Sequence, residues 1–399
     1  MKRLFIIASL AILAVGCQKT EIQNEVQTPI GFSTETGKQT RAISDPNYLT
    51  SQPFGVFSYG YDKTPADAYV ANTDDQGEPA PVMNNVEINE QDGANSTKVW
   101  KATSGISYYW PNDPDNYLNF YAYSPIHTSV ASNTLKNHQK LTGELSHTEE
   151  EGLTLDYTHH NMYIDFMVAT PVFRAKFADQ NGEATDKNPK DASVPVVFHH
   201  EMTQVNFTVK IADQKSYPNV DFEIQSIVLN DIYEDATYTN EPLTHDLTTN
   251  SLAFAVGAWD VSGDPTTFTI FPAEACSDSN PDGAPIDADE TAVVLHTDDR
   301  TSSSGTAAKL NFSTTPVTMI PQKLEDQSFT ITYKISGIGV ATEEIAKTFK
   351  FVSATPTGAV VPAWANNAKV TYTLTISLNE ITFTPSVAEW SSTEGAYML

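Results

Sequence analysis

"ISYYWPNDPDNYLNFYAYSP", residues 106–125, holds two aromatic-rich runs, 106–110 and 117–123, around the turn-rich "NDPDN". Alternating apolar and polar residues bounded by Asn, Asp and Pro predict two strands with antiparallel pairing. Pro111 and Pro125 end them, because proline cannot donate to a sheet ladder. Trp110, Phe120 and Tyr123 are the large groups of these half-buried strands. Each is worth about 1.5–3 kcal/mol if buried.

Outward from this stretch the same period recurs. Further runs are "FGVFSYGY" (54–61), "VPVVFHHEMTQVNFTVKI" (194–211), "FEIQSIVL" (222–229), "FTIF" (268–271), "SFTITYKI" (328–335) and "KVTYTLTISLNEITF" (369–383). Turn-rich segments such as "ADQNGEATDKNPKD" separate them, which predicts an all-β chain of sandwiches. A turn or two of helix is expected only at "TEEIAKT", 342–348. The length exceeds what one core usually serves, so two domains are expected, with polar "ADQKSYPNVD" (212–221) as the divider. That gives 42–213 and 214–399.

The beginning of the chain reads as an export signal. Lys2 and Arg3 precede an apolar run, Leu4 to Val15, too short to span a membrane as a helix. Residues 1–16 are the expected signal peptide, and "LAVGC" reads as a lipobox that makes Cys17 the acylated first residue. The polar "QKTEIQNE" follows at once. The remaining cysteine, Cys276, then has no partner for a disulfide, and no histidine near it in sequence marks it as a nucleophile.

The net charge is −27, and losing Lys2 and Arg3 makes it more negative. Such a chain repels phosphate backbones and anionic headgroups, so nucleic acid is an unfavourable partner. No catalytic signature of the GxSxG, HExxH, phosphate-loop or CxxC kind occurs. The pairs His159–His160 and His199–His200 sit next to one another on predicted strands, where neighbours face opposite ways and do not chelate one metal from one face. "DSNPDGAPIDAD" (278–289) begins like a calcium loop, with Asp278, Asn280, Asp282 and Gly283. It departs at position twelve, where Asp289 replaces the bidentate Glu, and Pro285 and the absence of flanking helices also disagree. A solvated acidic loop is the expectation; neither metal nor cofactor is expected.

The run around Trp110 resembles the fimbrillin family, the fimbrial subunit lipoproteins and Mfa-like proteins of Gram-negative anaerobes. The likeness lies in Tyr109, Trp110 and Pro111, followed by Phe120, Ala122, Tyr123 and Pro125. It continues in "FGVFSYG", "DFMVAT" (165–170), "VVFHHEMTQVNFTV", "MIPQ" (319–322) and "ITFTPSVAEW" (381–390). The resemblance implies two tandem transthyretin-like antiparallel β-sandwich domains and no enzyme activity. It also implies that an Arg-specific protease cuts after an arginine in a T-R-A context, removing the first strand so that a neighbour fills the groove. Thr40, Arg41 and Ala42 match that context; Arg41 is one of four arginines in the chain. Residues 17–41 are then a propeptide carrying "PIGFSTE" (29–35), whose Ile30 and Phe32 alternate as in a strand. The segment after Pro385 maps to the family's donor strand.

The implied function is that of a fimbrial subunit or surface lipoprotein serving adhesion. Its partners would be other subunits, the outer membrane through the lipid on Cys17, and a host or bacterial surface receptor. The alternative from the same residues is a monomeric surface adhesin or glycan-binding protein that keeps its first strand. A hydrolase on a β-sandwich would need a cleft with converging carboxylates.

Overall fold

Which faces of these strands are buried follows from what covers them. The computed structural model describes residues 29–34, 53–63, 69–75, 77, 79–92, 98–103, 105–111, 116–127, 141, 143–149, 151–159, 161–175, 193–212, 220–240, 257–273, 292–296, 311–337, 340–352, 360–378 and 380–390. Among them every regular element is a strand, and the strands form four sheets. Cys17, Arg41, Ala42, Cys276 and the 278–289 loop lie outside the described residues.

The first sheet has ten strands, numbered in chain order. Across it run β11 (Ser193–Val196), β1 (Gly31–Thr34), β5 (Lys98–Ala102), β4 (Pro81–Asp92), β2 (Phe54–Lys63), β6 (Tyr117–Ser124), β9 (Met167–Ala169) and β12 (Phe198–His200). β3 (Tyr69–Ala71) pairs with β2, and β10 (Val172–Ala175) with β6. The second sheet is β16 (Ala258–Ser262), β15 (Asp235–Asn240), β8 (Gly152–Thr158) and β7 (Glu144–Thr148).

The third sheet runs β19 (Asn311–Ser313), β13 (Thr203–Ile211), β23 (Ala368–Ile376) and β24 (Ile381–Glu389), with β20 (Val317–Met319) also on β13. The fourth runs β17 (Thr266–Phe271), β14 (Val220–Ile232), β21 (Ser328–Gly337) and β22 (Val340–Lys350), with β18 (Val293–His296) on β14. The third and fourth sheets face each other over one core that includes Phe207, Phe222, Ile331, Phe329 and Tyr372. The alternation of β13 and β23, with the inward positions apolar apart from Thr203 and the outward ones polar, is what a sandwich strand requires.

The first sheet is buried on both faces. Phe54, Val56, Leu118, Phe120 and Ala122 enter one core. Phe57, Tyr59 and Tyr123 enter another, shared with Leu155, Tyr157, Ala236 and Tyr238 of the second sheet. β2 and β6 are therefore not half-buried as their sequence suggested, because the second sheet covers the outer face. Gly55 lies opposite Tyr123 in the ladder, and a Cβ there would stand 2.3 Å from the tyrosine ring. Glycine is needed so that the ring can lie across the strand.

Two expectations are corrected. "ISYYW" is not a ladder strand; Trp110 is buried against Phe120 at 5.8 Å, while Tyr109 makes a single bridge to Pro29. "TEEIAKT" lies within strand β22 and not in a helix. Ile345 and Phe349 are four apart, a spacing that fits one helix face and one strand face equally. Pairing with β21 decides for the strand. Most ladders are antiparallel, as expected; two are parallel, β1 with β11 and β13 with β23. Among the described residues β13, which precedes 212–221, bonds to β19, β20 and β23. β15 and β16, from beyond that divider, join β8 and β7 in the second sheet.

Candidate functional site

Strand β1 sits inside a sheet rather than at its rim. Gly31 to Thr34 pair with Ser193 to Val196 on one side, and Phe32 pairs with Trp100 on the other. The Ile30 amide donates to the Tyr108 carbonyl at 2.8 Å. Alternation puts Ile30 and Phe32 on the same face, and both are buried, at 5% and 4% exposure. The Phe32 ring meets Phe54 and Phe120 edge-on, at 5.9 and 5.8 Å. Edge-on rings at this distance add to the area term.

The seat is not sealed. A cavity of about 590 Å³ runs beside the strand, lined by Ile30, Met83, Val99, Trp100, Ile106 and Tyr108 among others. Ile106 and Val99 present apolar surface around it, at 59% and 37% exposure. Without β1, the ladder edges of β5 and β11 would be unpaired and Phe54 and Phe120 would lose their cover. Such an edge with apolar sockets is a receptor for an extended segment.

The other sandwich manages its edge differently. β22 bonds only to β21 among the described residues, and Glu343 and Lys347 stand opposite the buried Ile335 and Ile331. Both charged residues are exposed. Charges on the core-side face of an edge strand blunt it against further pairing.

Of the site residues read from sequence, Ile30 and Phe32 are in the seat. The donor segment is partly accounted for. Ser386 to Glu389 are the end of β24, paired with Thr371 to Ala368, and Trp390 is buried at 4% exposure. The segment after Pro385 is therefore not free as far as Trp390.

Sequence reasoning did not find the role of Trp390. Its ring stacks on His200 with centroids 3.9 Å apart and planes 7° from parallel. His200 Nδ1 is 2.6 Å from Asp165 Oδ2, both buried. His199 faces the other way and meets Thr170 Oγ1 at 2.9 Å, as adjacent strand residues should. Burial pushes the Asp165 carboxyl above its usual range, against the pull of His200. Next to this pair the buried Glu201 accepts a hydrogen bond from Asn366 Nδ2 at 2.6 Å, and burial raises its carboxyl to about 7.

A second polar group ties the first two sheets. Glu149 accepts from Asn119 Nδ2 at 2.9 Å, from the Tyr121 hydroxyl at 3.1 Å, and from the Tyr61 hydroxyl. Burial, and then the Glu149 charge, pushes Tyr59 up to about 12 and Tyr61 and Tyr121 further up. The phenols stay protonated donors. Burial alone lowers His147 to about 4, so it is neutral at pH 7 where it stacks on Phe57. Among the described residues no three His, Cys, Asp or Glu side chains group to hold a metal ion.

Fold and seat define an all-β chain with its first strand lodged between non-neighbouring strands. The chain belongs to the fimbrillin-like family, whose sequence profile matches residues 40–390. The match begins one residue before Arg41 and leaves β1 outside it. No curated protein sequence matches the chain. Among solved structures, it is similar to a candidate cell adhesion protein from Bacteroides uniformis, at 18% identity and TM-score 0.46, covering 92% of this chain and 99% of that one. A fimbrial protein from Bacteroides vulgatus has 16% identity and TM-score 0.46, with coverage of 92% and 99%. The tip fimbrial protein Mfa3 from Porphyromonas gingivalis has 8% identity and TM-score 0.32, with coverage of 90% and 98%. Family membership rests on the sequence match, and it supports a fimbrial or adhesion role at the cell surface in association with other fimbrial subunits.

Proposed function

We propose that this chain is a surface lipoprotein subunit that joins its neighbours by strand exchange after cleavage at Arg41, and that the assembly serves adhesion. The observation that carries the reading is the seat of β1: a short strand with two apolar anchors, interior to a sheet, six residues before Thr40-Arg41-Ala42. A cut after Arg41 leaves β1 attached by non-covalent contacts alone. Ile30 and Phe32 are worth about 1.5–3 kcal/mol each, an amount that a competing strand filling the same sockets replaces.

The replacement comes from the C-terminal segment of a second subunit in this reading, and acylated Cys17 holds the precursor, or a subunit left uncut, at the outer membrane. The chain division is drawn before Thr203, where ladder partners change, in place of 212–221. N-terminal sequencing of protein taken from the cell surface tests the reading. A start at Ala42 is the expected result. A start at Cys17 throughout an assembled fraction would favour the adhesin that keeps its first strand.

A further inference from the structure

The segment 381–390 reaches two cores. Ile381, Phe383 and Pro385 alternate inward and are buried, with Ile381 and Phe383 in the core between the third and fourth sheets. The next position of that parity, Val387, is 58% exposed, and Ser386, Ala388 and Glu389 are exposed as well. From Thr384 on, apart from Pro385, the strand has run past its own core and, among the described residues, is held by its ladder to β23 and by two long side-chain hydrogen bonds, Ser386 Oγ to the Thr371 carbonyl at 3.4 Å and Asn367 Nδ2 to Glu389 Oε1 at 3.5 Å. Among the described residues it is also the outermost strand of that sheet.

Trp390 then turns into the other core, the one shared by the first and second sheets. There it lies flat on His200, and its amide donates to the Asn367 carbonyl at 2.6 Å. The Asn367 amide in turn donates to the Met202 carbonyl at 3.1 Å. His200 is itself fixed by Asp165 and belongs to β12, four residues beyond the end of β11, which pairs with β1. Four exposed residues between a proline and a buried indole are a strap whose one buried apolar fastening, among the described residues, is Trp390.

We propose that Trp390 is a releasable latch: undocking from His200 lets residues 386–390 peel from β23 as a unit, freeing the C-terminal segment for a second copy of this chain. The consequence for donation rests on the strand-exchange reading; the latch itself does not. Local opening of this kind needs few buried apolar contacts and an exposed ladder, and residues 386–389 have both features.

Hydrogen exchange on uncut protein reads the latch directly. Trp390→Ala should speed exchange of the 386–389 amides by about 100-fold or more while Tyr372 to Ile376 stay protected, and Trp390→Phe should fall between the two. Exchange at the wild-type rate, or loosening of all of β23 together, would make Trp390 an ordinary core residue and overturn the proposal.

A second variant does not depend on folding without the indole. Lys369 and Ala388 are directly opposite, so Lys369→Cys with Ala388→Cys, in a Cys17→Ser, Cys276→Ser chain, clamps the strap. After cleavage at Arg41, the oxidised clamp should stop polymer growth and reduction should restore it. Fast exchange in Trp390→Ala with a clamp that leaves growth unchanged keeps the latch and refutes the C-terminal donor. Slow exchange with a clamp that leaves growth unchanged overturns both.

Discussion

Two parallel ladders cross long stretches of this chain, and they are built to different strengths. β13 and β23 share nine register pairs, from Thr203–Ala368 to Ile211–Ile376, with every second residue of both strands buried. β1 and β11 share four, and β1 adds one pair to β5. β1, β13 and β23 each have a strand on both sides, so position alone does not distinguish β1 from the other two. The number of buried side chains per strand does. A strand held by five inward residues is part of the fold, whereas one held by Ile30 and Phe32 can leave without dismantling what remains.

Truncation of the central ring should therefore have the largest effect. Phe207 is fully buried and packs on Phe329 and Tyr372 at 4.9 and 5.1 Å. Phe207→Ala should lower unfolding stability by about 3–5 kcal/mol in denaturant titration, with the whole transition moving. An equal loss for both ladders would erase the contrast.

Phe32→Ala should cost less, about 1.5–3 kcal/mol, its own share of the two anchors. Its signature is local: proteolysis and hydrogen exchange should expose residues 29–34 while the Phe207 core stays protected. Global unfolding of this variant would show that β1 is part of the main cooperative unit.

A smaller effect comes from Glu201, at the start of the segment that leads into β13. Its carboxyl is raised by burial from an ordinary 4.5 to about 7. A carboxyl raised in the folded state binds its proton more tightly there than in the unfolded chain. Its stabilising contribution is complete below about pH 4.5 and is lost as pH rises through about 7. Glu201→Gln should remove that slope, so the variant gains on the wild type by up to about 3 kcal/mol between pH 4.5 and 8. A constant difference across this range would mean Glu201 is ionised without penalty.

How far such contrasts can be read from sequence differs by region. The sandwich strands were plain, because in "SFTITYKI" and "KVTYTLTI" alternation is complete and both segments bury alternate residues. Ile30 and Phe32 gave β1 away for the same reason. Its partner did not show, since nothing in Ser193–Val196 specifies a strand more than 150 residues earlier. The double burial of β2 and β6 was hidden because the covering strands come from 144–158 and 235–262. β22 was ambiguous because four-residue spacing suits two periods. In sequence Trp390 only closed the family-like run 381–390; the tertiary stack on His200 makes it an anchor.

The most direct test of the contrast uses protein cut after Arg41 beside an Arg41→Ala control given the same protease. Gel filtration with mass analysis follows both the assembly and the fragment ending at Arg41. Wild type should form polymers and shed the fragment that carries Ile30 and Phe32, while Arg41→Ala stays monomeric with its first strand in place. Polymers of the same size from Arg41→Ala, with β1 still attached, would contradict the claim that β1 is the exchangeable strand.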